Sequence, residues 1–196
     1  MKARDEEAFA AEKAWQVRVD SKEGRQAGVS VYYFDAAGFS LKPVVPYAWQ
    51  AVGKTVRIPS SNGKRLNVLG FYSKTEKSFF QTVEGSVSSQ SVIDAIDAFV
   101  AQQPADDTRW RIIVMDNAPI HRSAAFRARR DDWLTRRVCI RYLPSYSPEL
   151  NAIETLWRFI KYQWLPITAY AGFDTLKKAV LNILDAIGSK YKITFA

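Results

Sequence analysis

Three acidic residues stand out in this 196-residue sequence because of what surrounds them. Asp35 follows the apolar run VSVYYF and Asp116 follows RIIVM, so each is expected at the C-terminal end of a buried strand. In α/β sheets the crevice beyond the strand ends is where ligands bind. Two carboxylates facing one crevice repel each other unless a cation lies between them. With oxygen ligands alone that cation is Mg²⁺ or Mn²⁺, which accept carboxylates, waters and phosphate oxygens. Taken singly, each Asp also reads as a turn or cap residue, because Asp hydrogen-bonds locally after strands. The third acid, Glu154, lies in LPSYSPELNAIETLWRFIK, residues 143–161. Asn151 and Glu154 have the spacing of a helix N-cap and its N3 partner, and Glu154 and Arg158 that of an i,i+4 ion pair. Glu154, Arg158 and Lys161 also share the helix face opposite the apolar stripe, which sets a carboxylate beside two cations. A metal and a phosphodiester could meet there.

The elements that must position these residues follow from apolar periodicity. Residues 29–35, 39–45, 66–72 and 78–83 read as strands, being rich in β-branched and aromatic side chains and separated by Gly and Pro. From Ser89 the period changes, with Val92, Ile93, Ile96, Phe99 and Val100 on one helical face. The run 111–116 is continuously apolar, as in a strand buried on both faces. An arginine-rich helix (123–134), a short strand (138–143) and a Pro-rich turn (144–148) follow. Ile153, Leu156, Trp157, Ile160 and Trp164 stripe a helix over 152–165, and Phe173, Leu176, Val180, Leu184 and Ile187 stripe a last one. This order is mixed α/β, with a sheet covered on both faces. Residues 1–25 read as a charged helical linker with a weak stripe of Phe9, Ala10, Ala14 and Val17, and 26–196 as one domain.

Composition narrows the partners. Net charge is +8, and the first 25 residues, with six bases and six acids, contribute none of it. The excess gathers in 42–65, where Lys42, Lys54, Arg57, Lys64 and Arg65 occur without an acid, and in 122–141, with seven arginines against Asp131 and Asp132. Clustered basic charge points to a polyanion such as a phosphate backbone, or to a merely basic surface. One cysteine, Cys139, and one histidine, His121, exclude an intramolecular disulfide and a Cys- or His-based zinc site. There is no apolar run long enough to span a membrane, so no membrane partner is expected and a cytoplasmic or nucleoid-associated location is.

The motifs YFDAAGFSL at Asp35, WQAVG at Trp49, MDNAPIHRS at Asp116 and YSPELNAIETLW at Glu154 resemble the catalytic domain of bacterial insertion-sequence transposases of the mariner-like superfamily. The resemblance runs from about Val29 to the last helix. It implies a ribonuclease H-like fold, a mixed five-stranded sheet with helices on both faces, and an Asp, Asp, Glu triad at Asp35, Asp116 and Glu154. Glu149, in the SPEL turn, is not the matching acid. The implied chemistry is cleavage and joining of DNA at element ends and at a target, typically TA, with two Mg²⁺ or Mn²⁺ ions held by the triad roughly 3.5 to 4 Å apart. Trp49, Lys54, Arg57, Lys64, Arg65, His121, Arg158 and Lys161 are then candidate DNA contacts, with His121 alternatively orienting a neighbour. Two positions depart from the family pattern: Ala36 stands where many relatives have Glu, and Ala152 where they have Pro. Relatives also carry an N-terminal helix-turn-helix reader, for which residues 1–25 are too few, so that region is expected to be separate or missing. A homodimer is compatible with the resemblance. Two other readings remain open at this level: a catalytically inactive DNA-binding relic or regulator, and a nuclease of the same fold acting on RNA and DNA hybrids.

Overall fold

The computed structural model describes residues 4–42, 52–53, 63–104 and 108–194. Five strands form one sheet: β1 (Val29–Ser40), β2 (Arg65–Tyr72), β3 (Phe79–Glu84), β4 (Trp110–Met115) and β5 (Val138–Tyr142), in the order β3-β2-β1-β4-β5. β1, β2 and β3 pair antiparallel, whereas β4 and β5 lie parallel to β1. The sheet is the mixed five-stranded one expected of a ribonuclease H-like fold.

Helices cover both faces. On one, α3 (Ser89–Ala101) and α4 (Ala124–Thr135) pack Ile96, Phe99, Phe126 and Trp133 against Tyr32, Phe34, Leu69 and Phe71. On the other, α5 (Ala152–Phe159) and α6 (Phe173–Asp185) pack Ile153, Leu156, Trp157 and Leu176 against Val31, Tyr33, Ala37 and Phe39. Each Leu, Ile or Phe fully withdrawn from water in these layers contributes about 1.5–3 kcal/mol. β1 thus sends alternate residues to opposite cores, as the period of a strand requires. Asp35 occupies a place in the row that faces α5.

Two expectations need correction. The strand expected at 29–35 and the start of the one expected at 39–45 are one: β1 runs unbroken through Ala36, Ala37 and Gly38 to Ser40, because β2 pairs with it from Tyr33 to Ser40, while residues 43–45 lie outside the described residues. Asp35 therefore sits within a strand rather than at its end. The second concerns the weak apolar stripe expected to face inward in the charged helix near the N-terminus. The helix α1 (Glu6–Asp20) lies on the body, and the short α2 (Lys22–Gln26) leads from it into β1. Its buried face is not the apolar stripe but Glu12 and Gln16, flanked by the partly buried Phe9, Trp15 and Val19. Glu12 is only 4% exposed and tolerates this because Arg141 of the edge strand β5 pairs with it at 2.7 Å. The Gln16 amide donates to the Leu150 carbonyl at 3.0 Å, Lys74 pairs with Asp20, and the Arg141 guanidinium lies 4.0 Å from the Trp15 ring centre.

Candidate active site

Parallel pairing of β1 and β4 runs from Val29↔Trp110 to Tyr33↔Val114, and two residues further on each strand bring Asp35 level with Asp116. β4 stops at Met115. Beyond it the β4-facing edge of β1 is open, and the crevice expected at strand ends forms there although β1 itself continues. Glu154 comes from the first turn of α5, which crosses this end of the sheet. All three carboxylates line one cavity of about 840 Å³, whose wall also includes Asn151 and the 143–148 turn.

The close approach of α5 to the sheet has a local cause. Gly70 of β2 is the register partner of Asp35, and a Cβ built there would lie 2.7 Å from Ile153 Cδ1 and 2.8 Å from Trp157 Cζ2. Without that methyl group the Trp157 ring comes close against the strand, and its Nε1–H donates to Asp35 Oδ2 at 3.0 Å. The sequence pattern had placed Trp157 in the apolar stripe alone. A buried indole N–H needs an acceptor, and that requirement was the signal for its second role.

Asp35 and Asp116 are held in opposite ways. Burial pushes Asp35 up to about 7, with the charges of Glu154 and then Asp116 adding to the effect, while the Ala36 N–H and Trp157 oppose it. Asp116 is held below the usual carboxylate range, first by the His121 imidazole, 2.7 Å from Oδ1 through Nδ1, and also by the Ala118 N–H. Burial raises Glu154, opposed by Lys161, and the Asp116 charge adds to the rise. The site is short of positive charge, as a set of oxygen ligands for a divalent cation would be.

His121 is not a phosphate contact. It is 4% exposed, packed edge-on against Phe34, and its carbonyl accepts from the Tyr142 hydroxyl at 2.6 Å. Its Nε2 is buried without a partner among the described residues, and its Nδ1 faces Asp116. The capping box expected at Asn151 and Glu154 does not form either. Asn151 occupies the N-cap position with no side-chain cap bond, and its amide instead donates to the Phe34 carbonyl at 3.1 Å, one residue before Asp35. Glu154 is left free to face the cavity, with no ion pair to Arg158. Glu149 is exposed and pairs with Arg4 at the start of α1.

The basic candidates divide. Lys161 lies in the π-helical turn Ile160–Trp164 that continues α5, over the Phe39 ring and within electrostatic reach of Asp35, Glu154 and Arg65. Arg65 lays its guanidinium across Gly38, where a Cβ would fall 1.8 Å from Nε. Arg158 is exposed and, with Lys161, lines a second cavity of about 560 Å³ on the other side of Glu154. Lys64 belongs elsewhere, near Phe173 and Lys177. Trp49, Lys54 and Arg57 lie outside the described residues.

A divalent ion fits the residues present. Beside the three carboxylates, the Oδ1 of Asn151 is a buried acceptor without a partner on the same wall. Among the described residues no three acidic, His or Cys side chains are already drawn into a closed cage. The site is open, and would take its remaining ligands from water and substrate.

Comparison with known proteins decides the family. The DDE superfamily endonuclease family matches residues 30–177, which include all three acids. The chain belongs to that family. Solved structures similar to this DDE endonuclease include the Mos1 strand transfer complex, at 15% identity and a TM-score of 0.59, covering 94% of this chain and 56% of that one. The catalytic domain of Mos1 mariner transposase aligns at 14% identity and a TM-score of 0.56, covering 95% of this chain and 84% of that one. These likenesses establish the fold. A shorter match, 25% identical over 71 residues, is to the uncharacterized protein y4pE/y4sA of Sinorhizobium fredii, covering 36% of this chain and 48% of that protein. The DDE endonuclease thus spans about half the length of such relatives. No helix of the described residues is long and apolar enough to cross a membrane.

Proposed function

We propose that this DDE endonuclease is the catalytic domain of a transposase, cutting DNA at the ends of a mobile element and joining the freed end to a target. The observation that carries the reading is the convergence of Asp35, Asp116 and Glu154 on one cavity, within a chain whose family is defined as endonucleases. Asp35, Asp116 and Glu154 are the metal-binding catalytic triad in this reading. Support for the metal comes from the uncompensated charge of the site and from similar Mos1 structures described as paired-end complexes with Mn and with Mg. Support for DNA joining comes from those described as a strand transfer complex and as a paired-end complex with a transposon end.

With divalent ions in place, two for in-line phosphoryl transfer, the chemistry supplied is activation of a water or 3′-hydroxyl and stabilisation of the leaving oxygen. The chain's own residues prepare for it. His121 and the Ala118 N–H keep Asp116 ionised and fixed in direction. Trp157 fixes Asp35, and burial leaves the charge of its carboxylate poorly solvated. Arg158 and Lys161 line the cavity on the other side of Glu154, with Arg65 within electrostatic reach of Lys161, and offer positive charge by which a DNA phosphate can be gripped. Recognition of element ends falls to a helix-turn-helix region outside these residues, with TA the target and a homodimer the working assembly.

The test is nicking of supercoiled plasmid DNA with Mn²⁺ or Mg²⁺. The wild-type protein is expected to nick, and Asp116→Asn to be inactive while keeping the wild-type circular-dichroism spectrum; equal activity of the two would sink the assignment.

A further inference from the structure

Among the described residues two that are not glycine hold a left-handed backbone, Arg137 at φ 57° and Tyr146 at φ 59°. Arg137 has an ordinary reason, since it follows the last turn of α4 and returns its N–H to the Leu134 carbonyl at 2.9 Å, as helices commonly end. Tyr146 ends no helix. It lies in the turn between β5 and α5, where glycine or asparagine would hold the same backbone with less strain.

What this conformation achieves is the placement of a ring. Tyr146 is 63% exposed, and its ring and hydroxyl have no partner among the described residues. It nonetheless lines the cavity shared by Asp35, Asp116 and Glu154. A bulky, largely exposed aromatic with no ring or hydrogen-bond partner among the described residues, kept by a strained backbone beside reactive carboxylates, is the arrangement of a ligand contact rather than of a core residue.

We propose that Tyr146 is a stacking platform for an unpaired nucleobase of the DNA strand that enters the cavity. The inference rests on the functional reading above and deepens it. A phosphodiester held between carboxylates must be fixed through the nucleotides on either side. On one side, Arg158 and Lys161 present cations to the backbone beyond Glu154. On the other, the cavity wall near Asp116 and Tyr146 offers no basic side chain, and a base is the part of the strand that an aromatic ring can hold. Stacking suits any base, so the contact would steady the strand without reading its sequence. It selects an unpaired base, because the faces of a base inside a duplex are already covered by its neighbours.

The test compares wild type with Tyr146→Phe, Tyr146→Asn and Tyr146→Gly. Binding of a short single-stranded oligonucleotide, and of a duplex of equal length, is followed by fluorescence anisotropy in Mn²⁺ buffer, and quenching of 2-aminopurine placed along the single strand reports stacking. Tyr146→Asn and Tyr146→Gly are expected to bind the single strand about tenfold more weakly and to lose the quenching, with duplex binding unchanged. Tyr146→Phe should match wild type. Asn and Gly both accept the left-handed backbone, so melting temperatures should not fall, and Mn²⁺ affinity should stay at the wild-type value. Wild-type single-strand binding by Tyr146→Asn would overturn the proposal, as would a loss in Tyr146→Phe as large as in Tyr146→Asn. If wild type bound and nicked DNA while the variants equalled it, only the stacking role would fall. If wild type bound neither DNA, the functional reading would fall first.

Discussion

Asp35 and Asp116 come level on neighbouring parallel strands and face one cavity, but the protein treats them as opposites. Asp35 stands in a row of core residues on β1, with Trp157 as its side-chain donor, and burial raises it to about 7. Asp116 stands just past the end of β4, its side chain 57% exposed, and His121 and a turn N–H hold it ionised. The difference teaches how one crevice can present both a carboxylate ready for a cation and one that becomes a full ligand only when a cation arrives. An acid raised by burial and by two neighbouring acids, with Lys161 only at electrostatic range, is an unfavourable feature for a core, and it makes sense where charge is to be bound.

The largest effect that could break this comparison is on catalysis. Replacing either aspartate, by Asp35→Asn or Asp116→Asn, should lower plasmid nicking by on the order of a thousandfold or more, since metal-assisted charge stabilisation accounts for several kcal/mol of the barrier. A large loss in one variant and none in the other would leave only one of them in the site.

Next come the supports of the two acids, which should sharpen the contrast. His121→Ala removes the partner of Asp116, and Trp157→Phe removes the N–H given to Asp35 while keeping most of the ring. Each should weaken Mn²⁺ binding about 10- to 100-fold, as loss of an outer partner of a metal ligand usually does. Calorimetry would measure both. Gly70→Ala, which alters neither carboxyl group, should act through the displaced Trp157 ring: a stability loss of about 1–3 kcal/mol from overpacking, with a parallel loss of Mn²⁺ affinity.

These supports mark where the sequence was legible and where it was not. The sheet, its two cores and the acids at Asp35, Asp116 and Glu154 followed from apolar runs and motif spacing, because periodicity reports burial directly. Orientation did not follow. Nothing in a linear pattern shows that Trp157 turns its N–H to Asp35, that Asn151 reaches Phe34 instead of capping α5, or that His121 lies beneath Asp116 rather than toward DNA. The first two depend on partners more than a hundred residues away, and the third on how a short turn after β4 folds back. The N-terminal helix misled for a related reason: its buried face is polar, made tolerable by Arg141, which is 129 residues distant in the chain.

A smaller effect concerns stability of the metal-free protein. Below about pH 4 Asp35 is protonated both folded and unfolded and is neutral for stability. Between about pH 4 and 7 the unfolded chain releases a proton that the folded one retains, so this group increasingly destabilises the fold as pH rises toward its folded value of about 7. Asp35→Asn should therefore raise the melting temperature at pH 8 and leave it unchanged at pH 4. Asp116 has the opposite sign, its folded value being lowered, and Asp116→Asn should lower the melting temperature at neutral pH. The smallest effect belongs to the cations around Glu154. Arg158→Ala and Lys161→Ala should each weaken DNA binding at all sequences alike and reduce the slope of log affinity against log salt by about 1.

The most direct test is calorimetric titration of the wild-type protein with Mn²⁺ at pH 6, in two buffers of different ionisation enthalpy. Asp35 is mostly protonated there and must lose its proton to become a ligand, so binding should release close to one proton per chain, and Asp35→Asn should release markedly less. Mn²⁺ binding without proton release, or no binding at all, would contradict the account.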